Sequence, residues 1–153
     1  MKSRYLHLSR RRVRFAETDC TTRVFFPRYV EWIDDAVQDF MRERGLEFDE
    51  RGNVVYRGLK VEWTLVTGEY HCRMLKPLRL NDQLELGIEV GRLGRRSLNF
   101  RGEVLRGGEL VATGSITYVC VDPRSMRSRE LPRELIEALN TGSHVGKGPS
   151  SGD

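Results

Sequence analysis

Cysteine, histidine and long apolar runs are scarce in this chain. Cys20, Cys72 and Cys120, with His7, His71 and His144, are scattered singly over 153 residues. No pair stands at C-x-x-C spacing, and so sparse and odd a set argues against a disulfide scaffold. The same scatter argues against a structural zinc site, which needs clustered nitrogen and sulfur ligands. No Ser–His–Asp or Cys–His arrangement can be built from the spacing. No apolar stretch approaches the roughly 18 residues of a membrane span. The cysteine usage points to a cytoplasmic setting as the expectation, and the opening MKSRYLHLSRRR is basic but lacks the apolar stretch of a secretory signal. No Gly-rich loop leads into a helix, which weakens a dinucleotide or P-loop reading.

Apolar residues make up 39% and charged residues 31%, a balance that suits one soluble domain with one core. The net charge is +4, but it is local. Six basic residues and no acid precede Glu17, so the remainder carries a net −2. Between Glu31 and Glu50, eight acids face only Arg42 and Arg44. The basic arm has no interleaved aromatics, so no nucleic-acid partner is expected.

Three regions are expected: a basic arm over 1–10, a folded domain over 11–140, and a disordered Gly/Ser-rich tail over 141–153. A short strand starts near Arg11, with Val13 and Phe15 on one side. A polar stretch runs from Glu17 to Arg23. Then PRYVEWIDDAVQDFMRERG reads as the one long helix, with Pro27 suited to its first turn and Gly45 to its C-terminal cap. Tyr29, Ile33, Ala36, Val37, Phe40 and Met41 recur at helical spacing, and Val30 widens the stripe.

From Val54 the period becomes two. VVYRGLKVEWTLV offers one or two strands, followed by the alternations of Tyr70, Cys72 and Met74, then Leu84 to Val90, then Leu98 to Val104. Gly107-Gly108 favours a tight hairpin. Leu110 to Val121 is mostly apolar or β-branched on both faces, as for a central strand or a subunit contact. Pro132 opens a short helix through Leu139. The expected architecture is α+β, one helix on a broad antiparallel sheet, with dimerisation covering the exposed edge.

Chemistry centres on Asp19, in the polar segment before the helix. A carboxylate there can act as a base on water or attack a carbonyl itself. Free N–H groups at the helix start would stabilise the oxyanion of an attacked acyl group. Glu17 stands two positions away, as a coupled partner or a capping residue. Cys20 adjoins Asp19 without an obvious base. Arg95, Arg96 and Ser97 follow a Gly-bounded turn, and Arg124, Arg127 and Arg129 form a second cluster. Either cluster can grip phosphates or an acidic carrier protein.

Val13 to Met41 resembles the hotdog-fold thioesterases of the 4-hydroxybenzoyl-CoA thioesterase type, through Phe15, Glu17, Asp19, Val24-Phe25, Tyr29 and the helix beyond. Pro77, Leu78, Asp82, Leu84 and Gly94 to Ser97 extend the likeness, which covers roughly Arg11 to Leu139. The resemblance implies a hotdog fold, in which a curved antiparallel sheet of about five to six strands wraps the central helix. It implies homodimers paired sheet edge to sheet edge, often dimers of dimers, with acyl-CoA at the subunit interface. Asp19 would be the catalytic carboxylate, and backbone N–H groups near Phe25 and Phe26 would polarise the carbonyl. Arg95, Arg96 and Ser97 would meet the coenzyme phosphates. No cofactor is implied, coenzyme A being part of the substrate; acyl carrier protein is a second possible carrier.

Three positions depart from the family pattern. Glu17 replaces the usual Asp, Thr22 a usual Gly, and Phe25-Phe26 an aromatic-and-polar pair. They leave open a non-catalytic hotdog protein that binds an acyl-thioester or serves as an assembly subunit. A hydratase is disfavoured by the lack of an Asp–His pair at suitable spacing. Acyl group, chain length and pathway stay open.

Overall fold

The amphipathic segment forms helix α1, Pro27–Glu43, in a computed structural model that describes residues 5–147. Pro27 opens it at no cost in hydrogen bonds. Gly45, at φ +86°, closes it in the left-handed region, donating its N–H to the Arg42 carbonyl at 3.0 Å. Tyr29, Ile33, Ala36, Val37, Phe40 and Met41 of the expected stripe are buried, Val30 is half-buried, and Trp32, absent from that stripe, is buried with them.

The helix lies on a five-stranded antiparallel sheet. Its strands are β1 (His7–Arg12), β5 (Thr64–Met74), β6 (Gln83–Leu93), β7 (Ser97–Arg106) and β8 (Glu109–Val121), in the order β1-β6-β7-β8-β5. A second sheet joins β2 (Leu46–Phe48), β3 (Val54–Tyr56) and β4 (Leu59–Lys60). Helix α2 follows at Arg133–Lys147. This is the mixed α+β hotdog arrangement, one long central helix against an antiparallel sheet. Period-two burial puts Leu84, Leu86, Ile88, Leu98, Phe100, Val104, Ile116 and Tyr118 in the core. Gly107 and Gly108, both at positive φ, turn β7 into β8 between the paired Arg106 and Glu109.

Two cross-strand partners, Gly102 and Gly114, make a shallow trough in the sheet under Ile33. A Cβ on Gly114 would stand 2.5 Å from Ile33 Cδ1, and one on Gly102 3.0 Å from Ile33 Cγ2. The missing side chains therefore set how closely α1 approaches the sheet, and through that where its N-terminus lies.

Several local expectations give way to long-range pairing. The first strand begins at His7, not near Arg11, because residues 7–12 pair with β6 from Ile88 back to Gln83. Part of the expected arm thus belongs to the sheet. Tyr5 lies across β6, where a Cβ on Gly87 would come within 2.5 Å of its ring. Val13 is buried, but Phe15 is 80% exposed, since the chain leaves the strand and coils into a 3-10 turn over Phe15–Glu17. The segment from Val54 is broken by Arg57 and Gly58, both at positive φ, into β3 and β4 before β5 starts. The closing helix runs past Leu139 and Thr141 to Lys147, so the expected tail begins inside it; residues 148–153, and 1–4, lie outside the described residues.

Strand β8 is central, and β5 is an edge. Tyr70, Cys72 and Met74 pair with Ile116, Gly114 and Ala112 of β8. Tyr70 and Met74 are about half exposed there, on a strand with one free edge.

Candidate active site

The polar segment between β1 and α1 is a pinned excursion rather than a free loop. Val13 and Asn81 anchor its start: Val13 N–H donates to the Asp82 carbonyl and Asn81 N–H to the Val13 carbonyl, each at 3.0 Å. Thr18 and Val24 form a bridge, Asp19 N–H donates to the Arg23 carbonyl at 2.8 Å, and Val24 N–H donates to the Leu78 carbonyl at 2.9 Å. The result is a narrow turn tied along one leg to residues 78–82. Thr22, the position read as a usual glycine, sits at φ +68°. A β-branched residue in the left-handed region costs roughly 1–2 kcal/mol, held here by the hydrogen bond from Thr22 N–H to the Asp19 carbonyl.

Asp19 is exposed on this turn. Its Oδ1 accepts the Thr21 hydroxyl at 2.6 Å and the Thr21 N–H at 2.7 Å. Those two donors hold the carboxyl below the usual aspartate range. It is therefore an anion at neutral pH, in the right state to accept a proton or to attack, and in the wrong state to donate one. Cys20, next to it, is exposed.

Glu17 turns the other way. Its Oε2 accepts the Trp32 indole N–H at 2.8 Å and pairs with the Arg11 guanidinium, while Oε1 accepts the Arg14 N–H at 2.9 Å. It is not a coupled partner of Asp19. Burial alone would push its carboxyl up, but Trp32, the Arg14 amide and Arg11 bring it below the usual glutamate range.

At the helix entry the two amides expected to face a carbonyl differ. Phe25 N–H is committed to the Glu17 carbonyl at 2.8 Å, so Phe25 is not an open donor. Pro27 has none to give. Arg28 and Tyr29 N–H turn back onto the Phe25 and Phe26 carbonyls. Phe26 N–H is left as the unspent amide among the described residues of the helix start. Beside it lies a cleft of about 270 Å³, whose walls include Arg23, Val24, Phe26, Tyr29, Met74 and Lys76. Asp19 stands outside these walls, on the turn that leads into Arg23.

Arg95, Arg96 and Ser97 are not brought to Asp19 within one chain. Cys120 N–H donates to the Arg96 carbonyl, and Cys120 pairs with Leu65 at the start of β5, whereas the Asp19 turn meets Leu78 and Arg79 beyond its end. At about 3.3 Å per residue, the strand separates them by roughly 30 Å. The two arginine clusters do meet each other. Arg96 donates to Ser128 Oγ at 3.2 Å, Arg129 N–H to the Cys120 carbonyl, and Arg95 pairs with Glu130 at 2.6 Å. They form one basic end of the sheet.

Spacing alone missed Trp32 as a polar partner, although it stands at helical intervals from Tyr29 and Ala36. It also missed Asp34, which accepts the Tyr118 hydroxyl at 2.6 Å between α1 and β8. Among the described residues, no group of three or more His, Cys, Asp and Glu is placed to hold a metal. No helix there is long and apolar enough to cross a membrane.

The sequence profile of the thioesterase-like superfamily matches residues 13–139. A 1,4-dihydroxy-2-naphthoyl-CoA hydrolase of Synechococcus (strain CC9605) is 28% identical over 141 residues, covering 91% of this chain and 92% of that protein. The acyl-CoA thioester hydrolase YbgC of Escherichia coli is 28% identical over 126 residues, covering 82% and 89%. Among solved structures, a protein of Aquifex aeolicus superposes with a TM-score of 0.73 at 26% identity, covering 86% of this chain and 98% of its own. Profile, relatives and fold agree over the same span, which contains the Asp19 turn, α1 and the whole of β5 to β8: the chain belongs to the thioesterase-like superfamily and has its hotdog fold.

Proposed function

We propose that the protein hydrolyses an acyl-CoA thioester, with Asp19 as base or nucleophile and the Phe26 N–H receiving the charge of the carbonyl oxygen. The observation that carries this reading is an ionised carboxylate on a pinned turn whose far leg leads into a helix entry with an unspent amide and a cleft of mixed apolar and basic lining. In the base route Asp19 takes a proton from water, whose oxygen bonds to the acyl carbon as the C–S bond breaks; the thiolate leaves and the acid is released. In the nucleophile route the Asp19 oxygen forms an anhydride with the acyl group, which water then opens. The cleft by Tyr29 and Met74 takes the acyl group. Its small volume, and the aromatic acyl groups in the names of relatives, favour a compact or aromatic acyl over a long chain.

The β5 edge is the proposed dimer contact. Antiparallel pairing of two such edges sets the end of one β5 beside the start of the other. That carries the partner's Arg95, Arg96 and Ser97 toward the Asp19 turn, where they meet the coenzyme phosphates or an acidic acyl carrier protein. Two such dimers form the tetramer. The free cysteines suit a cytoplasmic enzyme.

Turnover of short, long and aromatic acyl-CoA esters tests the reading. Hydrolysis of at least one class is the expected result. Binding without hydrolysis of any would establish the non-catalytic alternative, toward which the committed Phe25 amide and the strained Thr22 lean.

The pH–rate profile provides a second check. Asp19 is held below the ordinary 3.8, so the base stays ionised as pH falls through that value and is lost only lower, when the proton binds. The acid limb of kcat/KM should therefore lie below 3.8, and Thr21→Ala, which removes the hydroxyl donor, should move it upward. An acid limb unchanged in Thr21→Ala would separate Asp19 from the titration that governs the rate.

A further inference from the structure

We propose that Glu17 is a positioning residue of the site: clamped between β1 and α1, it holds the peptide groups that aim Asp19 and the Phe26 N–H. This rests on the roles proposed for those two groups.

Three elements converge on one carboxylate. Arg11 comes from β1, the Arg14 N–H from the turn and the Trp32 indole from α1, and together they occupy both oxygens. The Arg11 guanidinium also lies over the Trp32 ring, 4.9 Å from its centre. The glutamate side chain is only 14% exposed. A partly buried anion so completely partnered has little freedom to move, and each partner belongs to a separate part of the fold.

The backbone of the same residue reaches both working groups. Its carbonyl accepts Phe25 N–H, which fixes the peptide preceding the Phe26 amide. One residue on, Thr18 bridges to Val24 and closes the turn that carries Asp19. The side chain thus grips the fold while the main chain sets the orientation of the carboxylate and the amide relative to each other. Glu17 touches neither substrate nor reacting atoms. Its loss should spread the distance between Asp19 and the Phe26 N–H without emptying the cleft, so it should act on kcat and spare KM. A displacement near 1 Å costs on the order of 10²-fold in rate.

The test uses the full chain with the best acyl-CoA from the substrate series. Glu17→Gln keeps an acceptor for Trp32 but loses the charge. Trp32→Phe keeps an aromatic ring under Arg11 but removes the N–H together with the five-membered part of the indole; it carries the test if Glu17→Gln fails to fold, with thermal melting to separate lost packing from lost positioning. Each is expected to lower kcat by about 10- to 100-fold with KM within about twofold. In an Asp19→Asn background, Glu17→Gln should cause little further loss, because a residue that acts through Asp19 has nothing left to position. Wild-type kcat in both single variants, beside an inactive Asp19→Asn, would overturn the positioning role and leave the catalytic assignment standing. Full additivity with Asp19→Asn would overturn it as well. Wild-type turnover in Asp19→Asn itself would instead remove the catalytic assignment on which the proposal rests.

Discussion

Asp19→Asn is expected to lower kcat by about 10²- to 10⁴-fold on the preferred acyl-CoA, the range that a lost general base or nucleophile produces. The substitution is close to silent for the fold. An asparagine Oδ1 can accept the same two bonds from Thr21, and the residue is exposed. What disappears is the negative charge and the basicity. An amide neither takes a proton from water nor displaces a thiolate. Steady-state kinetics should show the loss in kcat, while thermal melting and the oligomeric state match the wild type. Unchanged turnover across the acyl-CoA series would reject the role assigned to Asp19.

Gly114→Val should unfold much of the protein's margin of stability. A Cβ there meets the Ile33 Cδ1 at 2.5 Å and the His71 carbonyl oxygen at 2.9 Å. The first obstacle is the end of a flexible side chain and can yield. The second is backbone of the neighbouring strand, and moving it disturbs the β5–β8 ladder. Overpacking of a buried site typically costs about 1–3 kcal/mol, and a branched side chain against a backbone atom belongs at or above the top of that range. For a domain of this size, that is a fall of roughly 10 °C in Tm, measurable by calorimetry or urea denaturation. The cost has a functional side. Ile33 lies in the middle of α1, and lifting it from the trough shifts the first turn, and with it the Phe26 amide, relative to the separately anchored Asp19. Gly102→Ala should be milder, since its nearest obstacles are side chains of Ile33 and Ile88. Equal stability of Gly114→Val and wild type would show that the close approach of helix to sheet is not a constraint.

Local chemistry carried most of the fold into view. The stripe of α1 depends on intervals of three and four, its ends on Pro27 and Gly45, β6 and β7 on alternation, and the β7–β8 hairpin on Gly107-Gly108. Each is a short-range preference of the backbone or of the side-chain period, so each survives being read one segment at a time. The early limit of β1 did not, because nothing in HLSRRR is apolar enough to announce a strand; its partner is β6, far along the chain. Phe15 looked like the second buried position of a strand and is exposed instead, because the strand ends at Arg12, three residues before it.

The site divides in the same way. Asp19 stood out as a carboxylate between a strand and a capped helix, and Arg95-Arg96 as a basic turn and a candidate for phosphates. Composition and order were enough to nominate them, because ionic state and helix polarity belong to the residues themselves. Only the folded chain decides which nominated groups are at liberty. It commits the Phe25 amide to Glu17 and leaves that of Phe26 open. It turns Glu17 inward to Trp32 and Arg11, and it sets the arginines a strand's length from Asp19. Hydrogen bonds between distant segments are made by position in space, and no periodicity along the chain encodes which donor is used up.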